Sequence, residues 1–227
     1  PVCQFQCMTT AVTAALIQML NAYDHLPTHV AELLFVLKEE FNNTQLASEI
    51  LREIGRMNFN AMAAHDSAGV KNISNFLSEL SATLPAVVLS HISMIVPHLS
   101  GGKEAYMMRS AVVTSIGNIL SNVLCNSDAR ANATKTNGYD DEQEPDAFAA
   151  ENKTRDELLD ILEERVFDIN GYTRSAVLRT WAHLCEARAI PLSRLESVTE
   201  IARGRLNDKT ALVRKAAIQL LEVLLEH

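Results

Sequence analysis

Aromatic residues supply only 5% of this 227-residue chain, which also holds just 8 glycines and 6 prolines. Beside them stand 48% hydrophobic residues, rich in Ala and Leu. That balance reads as helix, with enough apolar side chains for a sizeable core. No run of 18 apolar residues occurs and no signal peptide opens the chain, so the expectation is a soluble intracellular protein with no membrane partner. The chain starts at Pro1 and stops at His227 in the middle of a helical pattern, which reads as a piece of a longer protein.

Catalytic signatures are also missing. No Ser-His-Asp order, glycine-flanked serine or Gly-rich phosphate loop occurs, and Ser100-Gly-Gly102 has no Gly-Lys-Ser/Thr after it. Cys3 and Cys7 lack a second ligand pair at zinc spacing, and Cys125 and Cys185 stand alone. Free thiols on helices are the plainer reading. His25 and His29 have i, i+4 spacing, but Pro27 between them spoils a shared face. The expectation is therefore no enzyme, no cofactor, no metal and no small-molecule substrate.

What is there is a repeat. Four times a short polar turn leads into a helix that opens with a basic residue: Asp66–Lys71, Lys103–Arg109, Asp168–Arg174 and Asp208–Arg214. The basic residues lie 38, 65 and 40 positions apart. Setting aside a polar stretch at 127–152 brings the 65 to about 40. A period near 40 with two helices per unit is the mark of a HEAT or armadillo-type repeat. The predicted fold is all-α, a single α-solenoid segment over 1–227 with about five helix pairs, whose units bury their apolar faces only by stacking.

Amphipathic spacing places the predicted helices at 5–22, 28–41, 45–59, 68–83, 85–97, 104–125, 154–167, 172–188, 191–206 and 209–226. Phe5, Met8, Val12, Leu16 and Met19 form the expected inner face of the first, and Val30, Leu33, Leu34, Leu37 and Phe41 that of the second. Thr154 with Glu157 reads as a capping box. Trp181 falls on the apolar stripe with Val177, Leu178 and Cys185 and is expected in the core. Residues 127–152 hold seven acids and two bases, a net charge of −5. So polar a stretch reads as an acidic disordered loop between repeats.

An Asp before a helix satisfies its free N–H groups, whereas an Arg in the first turn opposes the helix dipole and needs an outside partner. Asp168, Arg174, Asp208 and Arg214 are therefore expected to form an Asp–Arg ladder between stacked repeats, broken at the Lys103 copy. The stretch 171–215 is basic, nine cations against four acids, in a chain whose net charge is −8. It reads either as a solvated face or as a patch for phosphates or an acidic peptide. With Arg174 and Arg214 assigned to the ladder, Arg203, Arg205, Lys209 and Lys215 are the candidate contacts to a partner or DNA.

The stretch Glu164-Arg-Val-Phe-Asp-Ile-Asn-Gly-Tyr-Thr-Arg-Ser-Ala-Val-Leu-Arg-Thr-Trp181, running on to Ala189-Ile-Pro-Leu192, resembles the HEAT-repeat regulatory subunits of condensin. Asp66-Ser-Ala-Gly-Val-Lys71 and Tyr106-Met-Met-Arg-Ser-Ala-Val-Val113, followed by Ile116-Gly-Asn118, carry the resemblance across roughly 45–215. It implies a non-catalytic scaffold in mitotic chromosome condensation, bound to the kleisin and SMC ATPase subunits, and to chromosomal DNA through the whole complex. It also implies a place in the nucleus and on mitotic chromosomes, with the cytoplasm as an interphase site. Periodicity alone equally allows a HEAT scaffold in nuclear transport or trafficking.

Overall fold

The computed structural model describes residues 2–124 and 145–226, and side chains over 9–124 and 150–226. Among the described residues every regular element is helical, with no strand, and the fold class is all-α of the HEAT/armadillo type. Two compact units divide the chain, 1–115 and 116–227.

In the first unit, α1 (Val2–Ala22) and α2 (Leu26–Phe41) are followed by α3 (Gln45–Arg56), the short α4 (Phe59–His65) and α5 (Ser67–Thr83). Short α6 (Pro85–Leu89) and α7 (Ile92–Ile95) come next, then a 3-10 turn, Val96–Ser100. Helix α8 (Tyr106–Ile119) crosses the division between the units. Helix α5 packs on both α1 and α2, while α3 packs against α1, α6 and α7. The core between them is Leu34, Ile50, Leu51, Ile54, Ile73, Phe76, Leu77 and Leu80, each at most 2% exposed.

The second unit holds a π-type turn at Leu120–Leu124, then α9 (Pro145–Arg165), α10 (Gly171–Glu186), α11 (Leu195–Arg205) and α12 (Ala211–Glu226). Helix α12 lies along both α10 and α11. Trp181 is fully buried there, with Leu159, Leu162, Val177, Leu178, Leu184, Val198 and Leu220 also closed to solvent.

Several boundaries differ from the sequence expectation, each for a local reason. The predicted helix at 85–97 is broken at Ser90 and His91. The Ser90 hydroxyl donates to Val87 O at 2.7 Å and His91 Nδ1 sits 3.0 Å from the same carbonyl, so side chains take an acceptor the helix would use. Likewise α8 widens at Leu120–Leu124, where Ser121 and Asn122 both donate to Asn118 O. The additional helix α4 starts where Asn58 Oδ1 accepts from Ala61 N at 3.1 Å, a cap missed in a run lacking clear periodicity.

The expected inner face of α1 is rotated by one position. Thr13 and Leu20 are buried, while Val12 and Met19 are exposed. In α2, Val30, Ala31 and Leu34 are buried, and Leu33 and Phe41 face solvent. That helix is apolar on more than one face, so periodicity did not single out the buried one. The capping box at Thr154 does not form, because α9 begins at Pro145 and Thr154 Oγ1 donates back to Ala150 O at 3.0 Å. Of the expected acidic loop, 127–144 lie outside the described residues, and 145–152 form the first turns of α9.

Candidate functional site

The repeated turn that opens α10 and α12 builds the most elaborate polar site of the second unit. Asp208 accepts the Thr210 N–H on Oδ1 at 2.9 Å, closing the turn before α12. Arg174, from the first turn of α10, then donates Nε to Asp208 Oδ2 at 2.8 Å and Nη2 to Oδ1 at 2.7 Å. This is a bidentate, charge-assisted pair, and its side chains are only 6% and 3% exposed. The Arg174 guanidinium holds the Asp208 carboxyl far below the usual carboxylate range; burial opposes this, and the Thr210 N–H and Arg205 assist.

The same arginine folds back on its own turn, donating Nη1 to Asp168 O at 2.8 Å. Arg214 repeats the gesture on Asp208 O at 2.8 Å. In the first unit Arg109, 1% exposed, donates to the carbonyls of Gly101 and Gly102. In three of the four copies the recurring basic residue therefore satisfies carbonyls of the turn before it, which the ladder idea did not contain; its position six to eight residues after the accepting carbonyl was the available signal. Asp168 closes its turn by accepting the Asn170 N–H at 2.8 Å, and Asn170, rather than Asp168, caps α10 through Tyr172 N. Gly171 is required by close approach: a Cβ there would lie 2.9 Å from Thr210 Oγ1.

The four candidate contact residues separate. Arg205 is drawn into the site, with Nη1 3.3 Å from Asp208 Oδ2 and its guanidinium carbon 4.7 Å from the centre of the Phe167 ring. Spacing along α11 gave no sign of these contacts across the turn, and the Arg205 side chain keeps 20% of its surface exposed. Arg203 is exposed and pairs with Glu200 at 2.5 Å. Lys209 and Lys215 are exposed and have no ion pair among the described residues. Arg194, counted above only as part of the basic stretch, ties α11 to α9 through Asp160 at 2.6 Å and Glu163 at 3.1 Å.

Among the described residues no group of three or more His, Cys, Asp or Glu is placed to hold a metal. No described helix is long and apolar enough to cross a membrane. Cys185 is a buried free thiol whose pKa is pushed up by burial and by Glu186; the Cys3 and Cys7 side chains and Cys125 lie outside the described residues. Burial lowers the pKa of His98, partly offset by its contact with Ile54 O at 3.0 Å.

No protein-family model matches the chain. Relatives do. Over 211 residues the chain is 36% identical to condensin complex subunit 1 of Mus musculus, covering 93% of this chain and 14% of the relative. It is 32% identical over 214 residues to the condensin-1 complex subunit CAP-D2 of Arabidopsis thaliana, covering 94% of this chain and again 14% of the relative. The match to condensin complex subunit 1 of Saccharomyces cerevisiae is 29% over 220 residues, or 17% of that protein. The chain is homologous to a segment of condensin complex subunit 1. It spans about one seventh of the animal and plant relatives. The stretch Glu164–Trp181 that carried the family resemblance is the one that builds the turn, the Asp208 pair and the buried Trp181.

Proposed function

We propose that this chain is part of a non-catalytic scaffold subunit of condensin, acting in mitotic chromosome condensation. In this reading it helps to hold the kleisin and SMC ATPase subunits, and it meets chromosomal DNA only through the whole complex, in the nucleus and on mitotic chromosomes. Identity of 32–36% across 93–94% of the chain to condensin subunit 1 proteins carries the reading. Stacked helix pairs stabilised by paired and backbone-tied charges agree with a holding role.

Net charge of −8 argues against the chain capturing DNA by long-range attraction on its own. The candidate contacts are Arg203, Arg205, Lys209 and Lys215, of which Arg205 is also tied to Asp208 and is therefore left in place in the test. The test is triple charge reversal of Arg203, Lys209 and Lys215 in the assembled complex, with kleisin affinity and DNA affinity measured separately. A fall in kleisin binding supports a holding role at this surface, and a fall in DNA affinity together with a shallower salt dependence of the remaining binding assigns it to phosphate. Failure of the subunit carrying this chain to co-purify with an SMC–kleisin assembly would remove the condensin reading.

A further inference from the structure

Beside the Asp208 cluster, three large apolar side chains face solvent: Phe167 at 73%, Ile169 at 59% and Tyr172 at 59% exposed. The turn gathers them. Phe167 lies against Arg205 at 4.7 Å, the Ile169 carbonyl faces Arg174 Nη1 at 3.4 Å, and Gly171, next to Tyr172, abuts Thr210. Single exposed apolar residues are ordinary on a protein surface, but three within six positions of one turn form a patch. The patch is also rigid, because its backbone is tied down by the arginine of α10 and the Asn170 cap.

Charge around the patch is unbalanced. Arg174, Arg205 and Arg214 all donate to Asp208, through its carboxylate or its carbonyl, and Lys209 adjoins it. Against these four cations stand the carboxylates of Asp168 and Asp208, both buried. The nearest exposed acid along the chain, Glu164, lies 4.0 Å from Arg165. Two positive charges are thus left over at the edge of an apolar surface. Arg205 carries five N–H donors, of which the Asp208 carboxylate engages Nη1.

We infer that this turn edge docks a short acidic peptide segment of a partner protein. A bulky apolar side chain of that segment sits on Phe167, Ile169 and Tyr172, and its carboxylates face Arg205 and Lys209. Size favours a peptide: three such side chains offer roughly 400 Å², about half of what each partner buries in a standard domain-sized interface. Duplex DNA fits worse, since its phosphates would meet the two cations and leave the apolar trio uncovered. The inference rests on the scaffold reading for the assembly in which it is tested, and it deepens that reading by giving the chemistry of one partner.

The experiment places a photo-cross-linking residue, p-benzoyl-phenylalanine, at Tyr172 of the assembled complex, with the same residue at exposed Ile218 as control, and maps the product by mass spectrometry. The expected product joins position 172 to an acidic segment carrying a large apolar residue. That segment, synthesised as a peptide, should bind the complex at least about tenfold more weakly after Ile169→Asp and about three- to tenfold more weakly after Lys209→Glu. Both positions are exposed, so folding is monitored but not threatened. The inference is overturned by no cross-link above the Ile218 control, by cross-linking to DNA or to a segment without acids, or by less than twofold loss of peptide affinity in both variants. In each of those cases an intact SMC–kleisin assembly leaves the scaffold reading standing.

Discussion

In the first unit Asp66 meets a neutral amide, Asn21 Nδ2, at 3.1 Å; in the second Asp208 meets the Arg174 guanidinium through two bonds of 2.8 and 2.7 Å. Both aspartates do the same local work. Asp66 Oδ1 accepts Gly69 N and Asp208 Oδ1 accepts Thr210 N, each at 2.9 Å. Each site also has a glycine close against it: a Cβ on Gly69 would lie 1.9 Å from Asn21 Oδ1, and one on Gly171, in the turn across from Asp208, 2.9 Å from Thr210 Oγ1. The donor differs with depth. Asp66 is half-buried and an amide suffices, whereas the Asp208 side chain is 3% exposed. A carboxylate that deep needs a cation to offset its lost hydration.

The largest expected effect breaks the charged version. Arg174→Met leaves the Asp208 carboxylate buried with only Arg205 beside it, and such an orphaned charge typically costs about 3–5 kcal/mol. The chain has one tryptophan, Trp181, buried in the second unit. Denaturant unfolding followed by its fluorescence therefore reports on the unit that holds the pair. Adding Asp208→Asn to Arg174→Met should recover part of the loss by removing the charge; a single-mutant cost below about 1 kcal/mol would mean that the pair is solvated.

Acid should act on the same pair. A carboxyl group whose folded pKa is depressed contributes stability that is present above its unfolded value, about 3.9, and is lost as pH falls below it. Asp208, held low chiefly by Arg174, is such a group. Tryptophan fluorescence of the wild type should therefore begin to report weakening only below about pH 4. In Arg174→Met that contribution is gone, so its unfolding curve should be flatter across the acid range; identical slopes would deny the linkage.

How much of this was readable beforehand divides along the same line. The period near 40, the all-α class and the burial of Trp181 follow from spacing, because each depends on which residues recur on a helix face. The pairing of Arg174 with Asp208 was legible as a type of contact, from an acid before one helix and a base inside another. Its second half was not. Nothing in residue order says that the guanidinium also ties the Asp168 carbonyl, or that Asn21, 45 positions away, stands in for arginine at Asp66. Backbone acceptors carry no sequence signal, and an amide donor leaves no charge pattern to notice. The contacts of Arg205 within the chain were not legible for a related reason: Phe167 and Asp208 lie across a turn rather than along a helix.

The neutral version should be weaker. Asn21→Ala removes one amide hydrogen bond to Asp66 but keeps the backbone carbonyl that accepts from Asn72 at 3.2 Å. A loss of about 1–2 kcal/mol is expected, since the half-buried Asp66 oxygen can find water. The tryptophan transition should stay in place while the helical signal of the first unit, read by circular dichroism, melts earlier. A penalty as large as that of Arg174→Met would erase the distinction between the two units' ties.

The smallest effects separate two neighbours in the basic stretch. Arg205→Ala removes a ring contact and one bond to Asp208, and the ring contact alone is worth about 0.5–1 kcal/mol at such a site. Arg203, two positions away, has a side chain 71% exposed and pairs with a Glu200 that is 57% exposed. Exposed i, i+3 pairs on helices contribute about 0.3–0.5 kcal/mol and are screened by salt. Arg203→Ala should therefore shift the tryptophan transition by less than about 0.5 kcal/mol at low salt and by nothing measurable at 1 M salt. If Arg203→Ala cost as much as Arg205→Ala, exposed and clustered cations in this stretch would be alike, and the basic charge here would be a single surface rather than a buried site beside free cations.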